Sequence, residues 1–345
     1  TRSIVDRPVL VVTAQRDDTD LDWPPATDLP ITVRLPLDPL DHAEAHALVA
    51  SIVGPDLADD LAGTLFERSG GNPLFAREII KAAREFGSLD AVPESLEAAM
   101  LAQVDALDAP GRRILRYAAV LGRTFSPAVL GDLLAADGYA LDAAALSRLD
   151  GFLQNNADGS IRFRSRVVRD TTYEGLAFRL RSRLHRLAGE VLERNAESAE
   201  AVADVLAVHF SNAGDKQRTW RYGLAAAQQA LDNHANADAA QFYELALSSL
   251  RGEVEVDAQA QLAAQLDFSR ALQEAGKYEQ AIEAYSRAVK LSETPTAKAF
   301  ALYRRSGSKI SLGAYRGASR DHAQALKALQ GLDTPEACAM RASVL

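Results

Sequence analysis

Eight arginines fall within residues 162–186 (Arg162, Arg164, Arg166, Arg169, Arg179, Arg181, Arg183, Arg186), against only Asp170 and Glu174. The local charge of +6 stands out in a chain whose net charge is −9. A guanidinium fork bonds phosphate and carboxylate oxygens in pairs, so this cluster suits a nucleotide, a nucleic-acid backbone or an acidic protein surface. Aromatic residues are sparse within it, and Phe163, Tyr173 and Phe178 fit core positions better than base-stacking ones. Contact within the same molecule is therefore favoured over DNA. Other chemistry is thinner. His42 and His46 lie four residues apart, a helical spacing that can hold zinc, but no third ligand accompanies them. A solvated helix start accounts for them better. No Ser/His/Asp or Cys/His arrangement stands out. No G-x-x-x-x-G-K-[ST] phosphate loop occurs, and Gly70-Gly71-Asn72-Pro73 is not followed by the Lys-Ser/Thr pair that would reach phosphate and magnesium.

The elements that must carry these residues are mainly helical. The chain has 345 residues, 48% hydrophobic and 25% charged, an ordinary globular composition with room for two or three domains. A single cysteine, Cys338, excludes an intrachain disulfide and fits a reducing, cytoplasmic setting. No apolar run reaches the length of a membrane span, and the first residues lack a signal peptide's pattern. Val9–Val12 and Ile31–Leu35 read as strands of a covered parallel sheet. Two strands cannot make such a sheet, so residues 1–37 are expected to be the end of a truncated α/β domain whose remainder precedes Thr1.

Asp41 should cap a helix running to Val53, with Leu40, Leu48 and Val49 toward the core. A second helix is expected from Asp56 to Arg68, stopped by Ser69-Gly70-Gly71, and a third from Pro73 with Leu74, Phe75, Ile79 and Ile80 on one side. Helices are expected at 94–107, 110–121, 126–136 and 141–152. Two short strands then flank Asn155-Asn156-Ala157-Asp158-Gly159, whose Asp-Gly signals a hairpin. Helices followed by a small hairpin read as a winged helix. Beyond Arg179 the chain is helical and repetitive: Ala239, Tyr243, Ala246 and Leu247 return as Ala281, Tyr285, Ala288 and Val289, then as Ala318, His322, Ala325 and Leu326. The offsets are 42 and 37 residues, irregular and longer than the roughly 34 of a tetratricopeptide repeat. Stacked hairpins of this kind form a concave surface for a protein or peptide.

The order of these motifs resembles a STAND-type signalling ATPase, a relative of the AAA+ proteins. Arg7–Arg16 looks like its sensor strand, Glu67–Phe75 the Gly-x-Pro start of the last lid helix, and Val92–Leu96 with Ala118–Phe125 its winged helix. Arg218–Tyr222 and Ala235–Ala240 are similar to the repeats of an actinobacterial subgroup in which a class III adenylate cyclase domain precedes the ATPase. The resemblance implies a mainly α fold: truncated nucleotide domain (1–37), helical lid (38–91), winged helix (92–178) and α-solenoid (179–345). It implies that Arg16 senses the terminal phosphate and that Pro73 packs on adenine beside Gly71. It also implies that Ser165 replaces a histidine that contacts the bound diphosphate, leaving Arg164 or Arg166 to supply that contact. The same Gly71 and Pro73 are also what a plain helix stop and restart requires, and Arg16 equally suits a solvated loop.

No phosphate loop or Walker-B carboxylate is present, so this segment carries no complete active site. ATP or ADP with magnesium is expected to bind the intact parent protein, through contact with a nucleotide domain outside this chain. Two other classes share these features: a LuxR-type transcription regulator whose DNA-binding domain would follow Leu345, and a nucleotide-free repeat scaffold for protein binding; nucleic acid on the Arg162–Arg186 patch is the less favoured partner.

Overall fold

The computed structural model describes residues 35–80 (apart from 74, 75 and 78), 102–250 and 256–344. The chain forms two compact units, Thr1–Leu96 and Glu97–Leu345. The expected strand Val9–Val12, all but Leu35 of the expected strand Ile31–Leu35, Arg16, Leu74, Phe75 and residues 94–101 of the helix expected over 94–107 lie outside the described residues.

In the first unit, α1 (His42–Val53) begins with a reciprocal capping box. The Asp41 Oδ1 accepts from Glu44 N at 2.8 Å, and Glu44 Oε2 accepts from Asp41 N at 3.0 Å. Ala45 and Val49 are buried, while Leu40 and Leu48 are half-buried. α2 (Pro55–Ser69) ends where Gly70 turns left-handed at φ 57°. Ile79 and Ile80 are buried beyond it.

The second unit opens with helical residues 102–106 and α3 (Ala109–Leu121), capped by Asp108, whose Oδ1 accepts from Gly111 N at 2.8 Å. Leu115, Ala118 and Ala119 on α3 are fully buried. Then come β1 (Thr124–Phe125), α4 (Pro127–Ala136), α5 (Ala143–Ser147), β2 (Leu153–Asn155), β3 (Ile161–Phe163) and α6 (Arg166–Glu174). The three strands form one antiparallel sheet in the order β1-β3-β2, with Phe125 opposite Ile161 and Leu153 opposite Phe163. The hairpin sits where Asn155–Gly159 placed it. Gly159 takes φ 81°, and Asp158 Oδ1 accepts from both Ser160 N (2.9 Å) and Ser160 Oγ (2.6 Å). Two differences are physical. The helix expected over 141–152 stops at Ser147, because Leu149, Phe152 and Leu153 peel off into a turn bonded back to Leu146 and Leu149. β1 is a two-residue bridge that no periodicity can announce.

From α7 (Phe178–Asn195) onward the chain is helical: a short 3-10 turn (Glu200–Val202), then α8 (Ala203–Ala213), α9 (Lys216–Asp232) and α10 (Asn236–Ser249). α11 (Ala258–Glu274), α12 (Tyr278–Leu291), α13 (Pro295–Ser311), α14 (Tyr315–Ala328) and α15 (Pro335–Val344) follow. Consecutive helices pack as antiparallel hairpins. Four hairpins turn identically, with Gly214, His234, Gly276 and Gly313 left-handed at φ 72°, 59°, 77° and 73°. In each, the next N–H bonds a carbonyl five residues back: Asp215 to Phe210 (2.9 Å), Ala235 to Ala230 (2.8 Å), Lys277 to Leu272 (2.9 Å) and Ala314 to Lys309 (2.8 Å). This is the Schellman closure of a helix end.

The repeated Ala239/Tyr243/Ala246, Ala281/Tyr285/Ala288 and Ala318/Ala325 are buried on α10, α12 and α14. Eight residues join α10 to α11 but only three join α12 to α13, which accounts for the offset of 42 against 37.

Candidate functional site

The arginine segment spans β3, α6 and α7, and three of its eight arginines are spent on backbone carbonyl groups. Arg164 Nε donates to Asp150 O (2.6 Å) and Leu153 O (3.1 Å), pinning the turn before β2. Arg169 Nε donates to Ala119 O (3.0 Å) in the last turn of α3, and its Nη1 meets Asp170 at 3.0 Å. Arg181 Nη2 donates to Glu174 O (2.9 Å) and Leu176 O (3.1 Å), closing the C-terminal end of α6. Arg169 and Arg181 lie over the Tyr173 ring at 4.7 and 4.5 Å. A guanidinium beside late-turn carbonyls also opposes the negative end of the helix dipole. Arg183 bridges Asp137 with contacts of 3.0 and 3.1 Å. Asp137 also accepts from Tyr117 Oη, and burial together with that carboxylate pushes the phenol well above its ordinary value.

Of the residues singled out for nucleotide contact, Arg164, Ser165 and Arg166 lie together at the junction of β3 and α6. Arg164 and Arg166 are exposed. Ser165 takes the N-cap position of α6 without a side-chain cap bond, and Arg166 Nε bonds Asp170 Oδ2 at 3.3 Å. Gly71 and Pro73 belong to the other compact unit. A Cβ on Gly71 would lie 2.5 Å from Leu40 O, and Leu40 N donates to Gly71 O at 2.8 Å. That close approach to the entry of α1 requires glycine at φ 73° by itself. Pro73 begins the next helical stretch.

The His42 ring lies against Phe66, with centroids 3.7 Å apart and the planes tilted by 34°. Among the described residues, no group of three or more His, Cys, Asp or Glu converges. Phe163 is fully buried, as its alternation predicts, but Phe178 corrects the expectation of a core role: it is 79% exposed, because the chain turns away from it at the first residue of α7.

One group was invisible in the sequence. Tyr173 Oη lies 2.8 Å from His185 Nε2, and His185 Nδ1 lies 3.0 Å from His209 Nδ1. Both imidazoles are 3% exposed, and they join α6, α7 and α8. Burial, with the neighbouring His209, Arg169 and Arg181 charges, depresses His185 to about 3. Burial depresses His209 to about 4. The Nδ1–Nδ1 contact needs one donor and one acceptor, so it is lost when both rings are protonated. The histidines are 24 residues apart on different helices, so no local spacing reveals them.

α7 ties the segment from α3 to α6 to the helical array. It packs on α3 and α4 on one side and on α8 on the other. Leu184, Ala188 and Val191 are buried, and Gly189 lets the Phe210 ring of α8 approach so closely that a Cβ would stand 2.8 Å from it. Asn195 Nδ2 reaches Asp132 Oδ2 of α4 at 2.6 Å, while Arg218 of α9 reaches Glu190 at 3.4 Å. No described helix is long and apolar enough to cross a membrane.

No protein-family model matches the chain, and no curated protein matches it. Among solved structures, it is similar to a signal transduction ATPase with numerous domains (STAND) protein with a tetratricopeptide repeat sensor from Pyrococcus horikoshii. The identity is 11%, the TM-score 0.40, and the match covers 88% of this chain. The chain spans 44% of that protein's length.

Proposed function

We propose that this chain is a non-catalytic regulatory segment of a STAND-type signal-transduction ATPase. It couples a nucleotide state, and a partner held on the repeats, to an output domain outside the chain, with adenylate cyclase as the output its repeats suggest. The observation that carries this reading is α7. One unbroken 18-residue helix contributes side chains to the cores of both the winged unit and the first repeat hairpin. A rotation of the winged unit therefore carries the array with it, instead of being absorbed by a linker. The motif order from Glu67 to Ala240 supplies the remaining support.

The residues fit a subsidiary role toward ATP or ADP. Arg164 and Arg166 are exposed, and the hydrogen bonds given above use only their Nε atoms. Gly71, by contrast, already has its space and its carbonyl taken by Leu40. A bound nucleotide with magnesium would supply the charged phosphates that such guanidiniums read, the phosphate loop itself coming from outside this chain. A switch of this kind needs only a few kcal/mol of differential nucleotide affinity between two states.

Calorimetry with ADP, on this chain and on the longer gene product, tests the proposal. Micromolar binding by the longer product, weakened at least tenfold in an Arg164→Glu/Arg166→Glu variant, is the expected result. Binding by neither would overturn the switch and leave a nucleotide-free scaffold.

A further inference from the structure

The start of α7 is where arginines remain uncommitted. Phe178, Arg179, Ser182, Arg183 and Arg186 line an open cleft of about 290 Å³. The three arginines stand at i, i+4 and i+7, on one helix face about 10 Å long. Arg179 and Arg186 are exposed and meet no partner among the described residues. Arg183 keeps 56% of its side chain in water despite its bridge to Asp137. Phe178 leaves a whole aromatic ring exposed at the foot of the ridge. Ser182 Oγ is already donating to Ala213 O at 3.0 Å, so the cleft's free donors are guanidiniums.

We infer that this cleft is a docking site for an acidic protein segment, one carrying carboxylates a helical turn apart and a bulky apolar side chain that covers Phe178. Three features favour it over a nucleic acid. The ridge is short and bounded by carboxylates, with Glu174 before it and Glu190 and Glu193 after it. A phosphate backbone gains affinity by neutralising many charges in succession, which this ridge cannot do. In addition, α5, between β1 and the hairpin, offers only Ala, Leu and Ser over five residues and has no long polar side chain for base edges. A peptide needs just two or three ion pairs and one apolar anchor, and that is what the cleft presents. The inference does not depend on nucleotide binding.

The probe is a fluorescein-labelled peptide with three glutamates at i, i+4 and i+7 around a leucine, titrated with the full chain in 50 mM NaCl. Single-stranded and duplex 20-mer DNA are titrated in parallel. Saturable peptide binding is expected, weakened at least tenfold by Arg179→Glu/Arg186→Glu and about fivefold by Phe178→Ser. Raising salt to 300 mM should weaken the wild type several-fold and the charge-reversed variant little. All three substituted side chains are exposed, and circular dichroism checks that helicity is unchanged. Absence of saturable peptide binding, or equal binding by wild type and Arg179→Glu/Arg186→Glu, would overturn the proposal. So would tighter binding of either DNA, lost in the same variant.

Discussion

Between α3 and the start of α7, long polar side chains reach across to carbonyl oxygens: Arg164 to Asp150 and Leu153, Arg169 to Ala119, Arg181 to Glu174 and Leu176. In the array, helices touch through alanine and glycine. Ala239, Ala246, Ala281, Ala284 and Ala288 are fully buried, and a Cβ on Gly223 would stand 2.9 Å from that of Ala246. The first region has a two-residue strand, a three-residue hairpin pair and short helices. Such elements bury little apolar surface and leave many helix-end carbonyls, so guanidiniums complete them. The second region repeats one hairpin, so close backbone approach and aromatic plugs such as Tyr243 and Tyr285 suffice. Burial pushes the Tyr243 phenol up to about 12, aided by Asp267, in keeping with a packing role. Where the array does bury charge, at Asp321, two cations hold it: Arg305 at 2.8 and 2.6 Å, and Lys309 at 2.7 Å. Burial raises that carboxyl, but these bonds outweigh it and keep it below its ordinary range.

The contrast can be broken from either side. Phe210→Ala should have the largest effect, about 3–5 kcal/mol by chemical denaturation, because a fully buried ring between α7 and α9 is removed. Arg169→Lys should cost about 1.5–3 kcal/mol, since an ammonium cannot hold Ala119 O and Asp170 together while lying over Tyr173. Gly223→Ala should cost about 1–3 kcal/mol by overpacking against Ala246.

The histidine pair predicts an acid dependence. Both histidines are depressed below the ordinary 6.5, so as pH falls the unfolded chain takes up protons first. Stability is full above about 6.5 and should fall as the solution is acidified toward 4, where the folded chain still resists the protons that the unfolded chain has taken up. A His185→Leu/His209→Leu variant should flatten that slope. The smallest effect, and one of opposite sign, is His234→Gly: glycine suits the left-handed turn that its three counterparts already occupy with glycine, and should add about 0.5–1 kcal/mol.

Legibility followed the same divide. The array was readable because its buried alanines and aromatics recur with the same spacing within each helix, and α1, α2, α3 and α4 because their caps and breakers are local. The hairpin was announced by Asp158-Gly159. β1 was not, since it depends on pairing with the distant Arg162, and neither was the early end at Ser147, where a tight turn through Leu149 replaces the last helical turns. The arginine cluster was legible as charge but not as use: nothing local distinguishes Arg169, held by Ala119, from Arg179, which meets water. Gly71 was found for its proximity to Pro73, while its tightest constraint is the carbonyl of Leu40, thirty-one residues earlier.

Through α7, the α3–α6 segment and the first repeat hairpins should open as one cooperative body. Native-state hydrogen exchange on the Arg169→Lys variant tests it most directly, since Arg169 touches neither α8 nor α9. Amide protection in α3, α7, α8 and α9 should then fall together and by the same free energy. Loss confined to α3 and α6, with α8 and α9 protected as in the wild type, would contradict it.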